Sequence, residues 1–240
     1  MPNPYLLLWF EAPLQSWGSD SNFDRRDTQD FPTKSGVLGL ICSALGAGGE
    51  QRAFLAEFKS LNQTVISFGR YERELKQDRE PLLRDFHMVG SGYDKKNPWE
   101  NLLIPKTADG KPAKGSSGPK VTLRYYLQDA AFAVAVEVPL ARADAIASAL
   151  QSPTWNIYLG RKSCTPTDFV YRKTLKTESE ALVLAESIAK EKKRIEDFRV
   201  VHGILGEGEA DETFTLNDVP IQFGKDKRYT DRQVSLINAR

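Results

Sequence analysis

Two cysteines and two histidines in 240 residues leave this chain little with which to build metal or redox chemistry. Cys42 and Cys164 lie far apart without a CxxC spacing, and His87 and His202 sit in unrelated contexts. Neither a structural zinc site nor a disulfide framework is supported. Long apolar runs are missing too: none approaches the roughly 20 residues that span a bilayer. The first apolar run, at Tyr5, has no basic n-region before it and no small-residue cleavage site after it, so a cytoplasmic protein without membrane contact is expected. Neither sign of charge dominates, with 33 Lys and Arg against 32 Asp and Glu. That balance excludes capture of nucleic acid by bulk charge and leaves the question to local basic patches. There is no Walker loop, no internal repeat and no cluster of metal ligands, and no cofactor is expected.

What is present is a regular alternation of short apolar runs. Residues 5–11 are too short for a helix and are closed by Pro13, which predicts a central buried strand. Pro32-Thr33 opens a helix with Val37, Leu40, Ile41, Ala44 and Leu45 on one face and Gly46 as its stop. Gly36, Gly39 and Ser43 fall on another side of it, a strip nearly free of side chains where a second backbone or a ligand can come close. Phe54, Phe58 and Leu61 mark a short second helix, and residues 64–70 a second strand. Residues 72–120 are rich in turn residues and read as an insertion. Residues 121–128 and 131–138 predict two neighbouring strands or one bent strand. Leu140, Ala143, Ile146, Ala147 and Leu150 trace an amphipathic helix, and 155–159 reads as a further strand. The order β, α, β, insertion, β, α, β predicts an α+β fold with a ferredoxin-like sheet and helices on one face. A charged helical stretch at 178–198 and short strands after it predict a small C-terminal appendage. The expected organisation is a core over 1–165, carrying an insertion at about 71–120, and an appendage over 166–240.

Several stretches could carry chemistry. In PLQSWG, residues 13–18, Gln15 can hold a polar edge and Trp17 can offer a stacking face, or the Trp can simply cap the core. The first turn of the helix after Thr33, with Lys34 and Ser35, is either a phosphate site or an ordinary capped terminus. Lys106, Lys111, Lys114, Lys120 and Arg124 face only the acid Asp109 within their stretch, which suits a phosphate backbone, although a solvated loop reads the same way. In YLGRKSC, residues 158–164, Gly160 would let a phosphate approach, Arg161 could fork onto its oxygens, and Lys162 and Ser163 could add contacts; the alternative is a tight turn with exposed charges. Cys164 reads as a filler of a small apolar gap. Arg25 and Arg26 lie among Asp20, Asp24, Asp27 and Asp30, and 190–194 reads as a solvated helical face.

Four blocks, PLQSWG, FPTKSGVLGL, LRDFH at 83–87 and YLGRKSC, stand in the order and at the spacing of the Cas-five family, and the chain resembles the CasD branch found in type I-E CRISPR complexes. The match runs to about Thr165 and continues loosely in the final PIQF and RYTDRQVSL stretches. The resemblance implies an RNA-recognition-motif-like core of the RAMP type with a thumb hairpin in the insertion. It implies a non-catalytic, ribonucleoprotein role in antiviral defence: gripping the 5′ handle of the CRISPR guide RNA and capping a filament of CasC-type backbone subunits. A CasA-type large subunit is a further implied partner, and target DNA is met only through the complex. Expected RNA contacts are Gln15, Trp17, Lys34, Ser35, Arg84, Lys106, Lys111, Lys114, Lys120, Arg124, Gly160, Arg161, Lys162 and Ser163.

Type I-C relatives in the broad family cut precursor guide RNA without metal. Such chemistry needs a base and an acid, roles that suit histidine. His87, with Tyr71, Tyr93 and Lys95 near it in sequence, is the candidate base of that alternative; Arg84 and Asp85 could equally form a structural pair at the thumb root. A protein-bridging scaffold that never touches RNA is the third reading.

Overall fold

The computed structural model describes residues 2–18, 24–89, 120–206 and 208–239, the side chains of 89 and 120 excepted; the lysines at 106, 111 and 114 lie outside them. The strands are β1 (Tyr5–Glu11), β2 (Leu14–Gln15), β3 (Arg25–Arg26), β4 (Gln63–Glu72), β5 (Leu75–Lys76), β6 (Leu83–Val89), β7 (Lys120–Gln128), β8 (Ala131–Glu137), β9 (Tyr171–Leu175), β10 (Arg194–His202), β11 (Glu212–Gln222) and β12 (Arg228–Asn238). The helices are α1 (Lys34–Ala44), α2 (Arg52–Phe58), α3 (Ala143–Gln151) and α4 (Glu178–Glu191). Among the described residues the fold is α+β, with sheets of mostly antiparallel strands. The larger sheet runs β11-β12-β10-β4-β8-β1-β9, with β5 paired to β4. In the smaller sheet β7 lies between β2 and β3 and also pairs β6.

β1 behaves as its apolar run predicts. Leu6, Leu8 and Phe10 join the core beneath α1, α2 and α3, while Leu7 and Trp9, pointing the other way, pack with Ala181, Ala185 and Ala189 of α4. Helices therefore cover both faces of the sheet, not one. α4 can lie close because its contact stripe is alanine at every fourth position, set against Ala131, Ala133 and Ala135 of β8. Trp9 stacks on Phe68 at 5.4 Å and fills the space beside that stripe.

The helix after Pro32 forms as expected. Thr33 Oγ1 accepts the Gly36 N–H at 3.2 Å, and Gly46, at φ 68°, closes the helix. β7 and β8 are consecutive but belong to different sheets, the chain bending at Asp129 with φ 45°.

Three expectations fail here. Residues 155–159 form no strand: the Thr154 and Trp155 N–H groups donate to Ala44 O (2.9 Å) and Ser43 O (3.3 Å), satisfying carbonyls at the C-terminal end of α1 instead of a ladder. The edge position beside β1 is taken by β9. The charged stretch 178–198 is not one helix, because Lys193 adopts φ 53° and the chain turns into β10. Of the 190–194 run Lys190, Glu191 and Lys193 are exposed, as a solvated face requires, but Lys192 and Arg194 turn inward. Lys192 meets Glu11 at 2.9 Å and Asp168 at 2.7 Å, and Arg194, its side chain 7% exposed, meets Glu11 at 2.9 Å. Burial opposes ionisation of Glu11, but hydrogen bonds from Lys192, Trp9 and Arg194 outweigh it and hold the carboxyl below its usual range.

The segment expected as an appendage supplies β9, β10, β11 and β12, all in the same sheet as β1. β10 pairs directly with β4. Ala185→Leu is expected to overpack the α4 contact and cost about 1–3 kcal/mol, read as a lower urea midpoint with unchanged m.

Candidate functional site

A groove of about 630 Å³ opens where α1, the PLQSWG segment, the 158–164 turn and the β11–β12 loop meet. Its floor is the glycine side of α1: an added Cβ on Gly39 would meet only Phe223, at 4.0 Å. Trp155, 49% exposed, stands on one wall against Gly48, and Phe223 and Tyr229 stand on another. Arg26, Arg161 and Lys227 line it, and no carboxylate does among the described residues. Flat aromatic faces, cations and a floor without side chains are what a single-stranded polynucleotide needs to lay down bases and phosphates together.

Several expected contacts are instead structural. Gln15 is fully buried; its Nε2 donates to Phe10 O (3.2 Å) and Ala130 O (2.7 Å), and its Oε1 accepts the indole N–H of Trp17 at 3.1 Å. Trp17, 1% exposed, stacks on Phe10 at 5.2 Å and lies so close to Gly36 that a Cβ there would sit 2.8 Å from the ring. It caps the core and offers no free face to a base.

The helix terminus at Lys34 is also occupied. The Lys34 N–H donates to Asp218 Oδ2 at 2.7 Å, and Asp218 is held in turn by Arg232 at 2.7 and 2.9 Å. A carboxylate from β11 thus takes the place a phosphate would need. The Lys34 ammonium, on a residue 3% exposed, donates to Lys59 O and Leu61 O. Ser35 remains on the groove wall, 3.3 Å from Thr33 Oγ1.

Gly160 serves a backbone, not a phosphate. At φ 98° its added Cβ would fall 1.7 Å from the carbonyl oxygen of Ser16, while Ser16 N–H donates to Leu159 O at 3.1 Å. Only glycine lets the two loops meet. Arg161 spends its guanidinium on Tyr125 O (3.0 Å), Arg26 O (2.8 Å) and Asp27 O (3.4 Å) and covers the Tyr126 ring at 4.6 Å. It ties the turn to β7 and β3 and presents charge to the groove without a free fork. Lys162 and Ser163 are exposed beside it. Cys164 is buried, as a gap filler should be, and burial likewise pushes the Cys42 thiol up to about 11.

Arg84 is exposed on β6 and Arg124 half-buried on β7. The register divides the arginines between the two faces of the ribbon: Arg84, paired with Tyr125, shares one face with Arg25, which lies over the Tyr125 ring, while Arg124 shares the other with Arg26. Lys120 starts β7. Asp85 pairs in register with Arg124 and lies 3.5 Å from His87. Trp155, Phe223, Lys227 and Tyr229 are groove residues that sequence reasoning missed. For Phe223 and Tyr229 the signal was the family-like PIQF and RYTDRQVSL stretches, which flank the β11–β12 loop that carries Lys227; nothing in the sequence singled out Trp155.

Two outcomes follow. Gly160→Ala is expected to destabilise by about 2 kcal/mol or more, measured by urea unfolding. Burial, then Arg232, lowers the Lys34 pKa from 10.5 to about 8. The folded state thus binds fewer protons than the unfolded one between those values, and stability rises with pH across that window. The wild-type minus Lys34→Met difference in urea stability should shift in favour of wild type between pH 8 and 10.5.

The model of the family described as CRISPR-associated protein (Cas_Cas5) matches residues 5–235. The CRISPR system Cascade subunit CasD of Escherichia coli (strain K12) is 32% identical over 171 residues, covering 68% of this chain and 67% of that one. A solved chain from a CRISPR RNA-guided surveillance complex superposes with TM-score 0.70 at 30% identity, over 98% of this chain and 89% of its own. A crystal structure of a Cas protein gives 0.57 at 25% identity, over 98% and 94%. With the family model spanning nearly its whole length and a curated relative above 30% identity, the chain belongs to the Cas5 family of CRISPR-associated proteins.

Proposed function

We propose that this protein is a binding subunit of a Cascade-type CRISPR effector complex that holds the single-stranded 5′ handle of the guide RNA in the groove beneath Trp155 and Tyr229. The observation that carries the reading is the groove's composition: three cations, no carboxylate among the described residues, exposed aromatic faces and a glycine floor. The likeness to a chain of an RNA-guided surveillance complex supports it. The core strands β9, β1, β8 and β4 stand in the order 4-1-3-2 of a ferredoxin-like sheet, which supports the RNA-recognition-motif-like reading.

In this reading the β6–β7 ribbon is the root of the thumb, and Arg124 with Arg26, on one face of it, follows the backbone where the handle leaves the groove. Subunits of the CasC type and a large subunit of the CasA type are the partners, and the complex works in the cytoplasm. The role is binding, not cleavage: His87 lies on the ribbon beside Asp85 and lines no part of the groove.

The test is equilibrium binding of a labelled handle RNA to the full chain across a salt series. Trp155→Ala should weaken binding by the worth of one stacked base, about 1–3 kcal/mol. Lys227→Ala should weaken it and flatten the salt dependence by about one phosphate contact. Unchanged affinity in both variants would remove the groove as the RNA site. Incubation with repeat RNA in EDTA should leave it intact; site-specific cleavage abolished by His87→Ala would restore the nuclease alternative.

A further inference from the structure

The two legs of the β6–β7 ribbon are anchored by different means. The returning leg is fixed by backbone: β2 pairs Gln128 and Leu127, the Asp129 N–H donates to Pro13 O, and β3 runs beside Leu123 and Arg124. The outgoing leg, residues 77–82, lies at the surface along its length. One side chain on it reaches inward. The Arg79 guanidinium lies over the rings of Phe198 at 4.8 Å and Phe132 at 5.7 Å. It donates to Ser67 Oγ at 2.7 Å and Asp30 O at 3.2 Å and meets Asp197 at 3.1 Å.

Asp197 is available because of a fault in the ladder. The register of β10 against β4 slips between Glu196 and Phe198, and the extra residue is Asp197. A bulge re-aims a side chain that regular pairing would place elsewhere. Here one carboxylate oxygen meets Arg79 and the other accepts Lys76 Nζ at 2.8 Å. Arg79 thus joins the outgoing leg to β4, β8 and β10 at once, through a charged contact seated on two aromatic rings.

We infer that Arg79 and Asp197 are positioning residues that set the angle of the ribbon to the main sheet. Neither lines the groove. Without them the outgoing leg keeps the Gln77 N–H bond to Arg70 O (2.9 Å) at its start and the Gln128 Nε2 bond to Pro81 O (2.8 Å), and the ribbon pivots between that start and β7. The consequence for RNA rests on the reading of the ribbon as the thumb root.

The test uses the full chain with spin labels at Phe86→Cys on the ribbon and Val183→Cys on α4, positions 64% and 64% exposed. Both native cysteines are buried. Pulsed electron-spin distance measurement should give one narrow distribution in the parent. Arg79→Met should broaden it and add a second population, Asp197→Asn should shift it in the same direction by less, and Lys76→Met should leave it as in the parent. An unchanged distribution in both Arg79→Met and Asp197→Asn overturns the inference. In a separate unlabelled arm, Arg79→Met should raise the dissociation rate of an RNA extended beyond the handle by about tenfold and leave a handle-only RNA unchanged. Equal loss for both RNAs together with a lowered melting temperature means a purely structural role and overturns the inference. A broadened distribution with both dissociation rates unchanged upholds the positioning role and removes the thumb from RNA binding.

Discussion

Because β1 points Leu6, Leu8 and Phe10 into one helical layer and Leu7 and Trp9 into the other, neither layer can shift without disturbing its opposite. Burial on both faces removes the usual freedom of a sheet with one wet side. It also fixes the C-terminal end of the strand. There Trp17, stacked on Phe10, carries the PLQSWG segment onto Gly36. Near the same end Glu11 gathers Lys192 and Arg194 and so ties the α4–β10 junction to β1. The groove is assembled on what this arrangement leaves at its edge.

Most of that groove is made by loops packed on loops, which is why so few of its residues could be read from sequence. The helix after Pro32 was legible because Thr33, the apolar spacing and Gly46 agree at every level. Its glycine strip was legible as a place of close approach, but not what approaches. Gly36 receives Trp17, while Gly39 is left open to the groove. Gly160 reads in the sequence as room for a phosphate, and what stands against it is the Ser16 carbonyl. A pattern of residue types records that space is tight without recording what fills it.

The misread strands have a similar cause. Residues 155–159 carry the apolar content of a strand, yet the N–H groups of Trp155 and of Thr154 before it are claimed by the end of α1. β9, with the sequence YRKTL and a half-buried pattern, carries a weaker signal because an edge strand has one neighbour to satisfy. The α4–β10 boundary depends on a lysine in the left-handed region, where glycine would have announced the stop. Lys34 shows the same limit in charge: its helix terminus is an anion site by every local rule, and a carboxylate distant in sequence fills it.

That carboxylate, Asp218, belongs to the β11–β12 hairpin, whose connecting loop brings Phe223, Lys227 and Tyr229 to the groove wall. During synthesis these residues emerge long after α1 and the Arg161 turn. A nascent chain therefore holds only part of its cradle, and the final wall arrives together with the ion pair that seals the helix end. Completion of the fold and completion of the groove become one event.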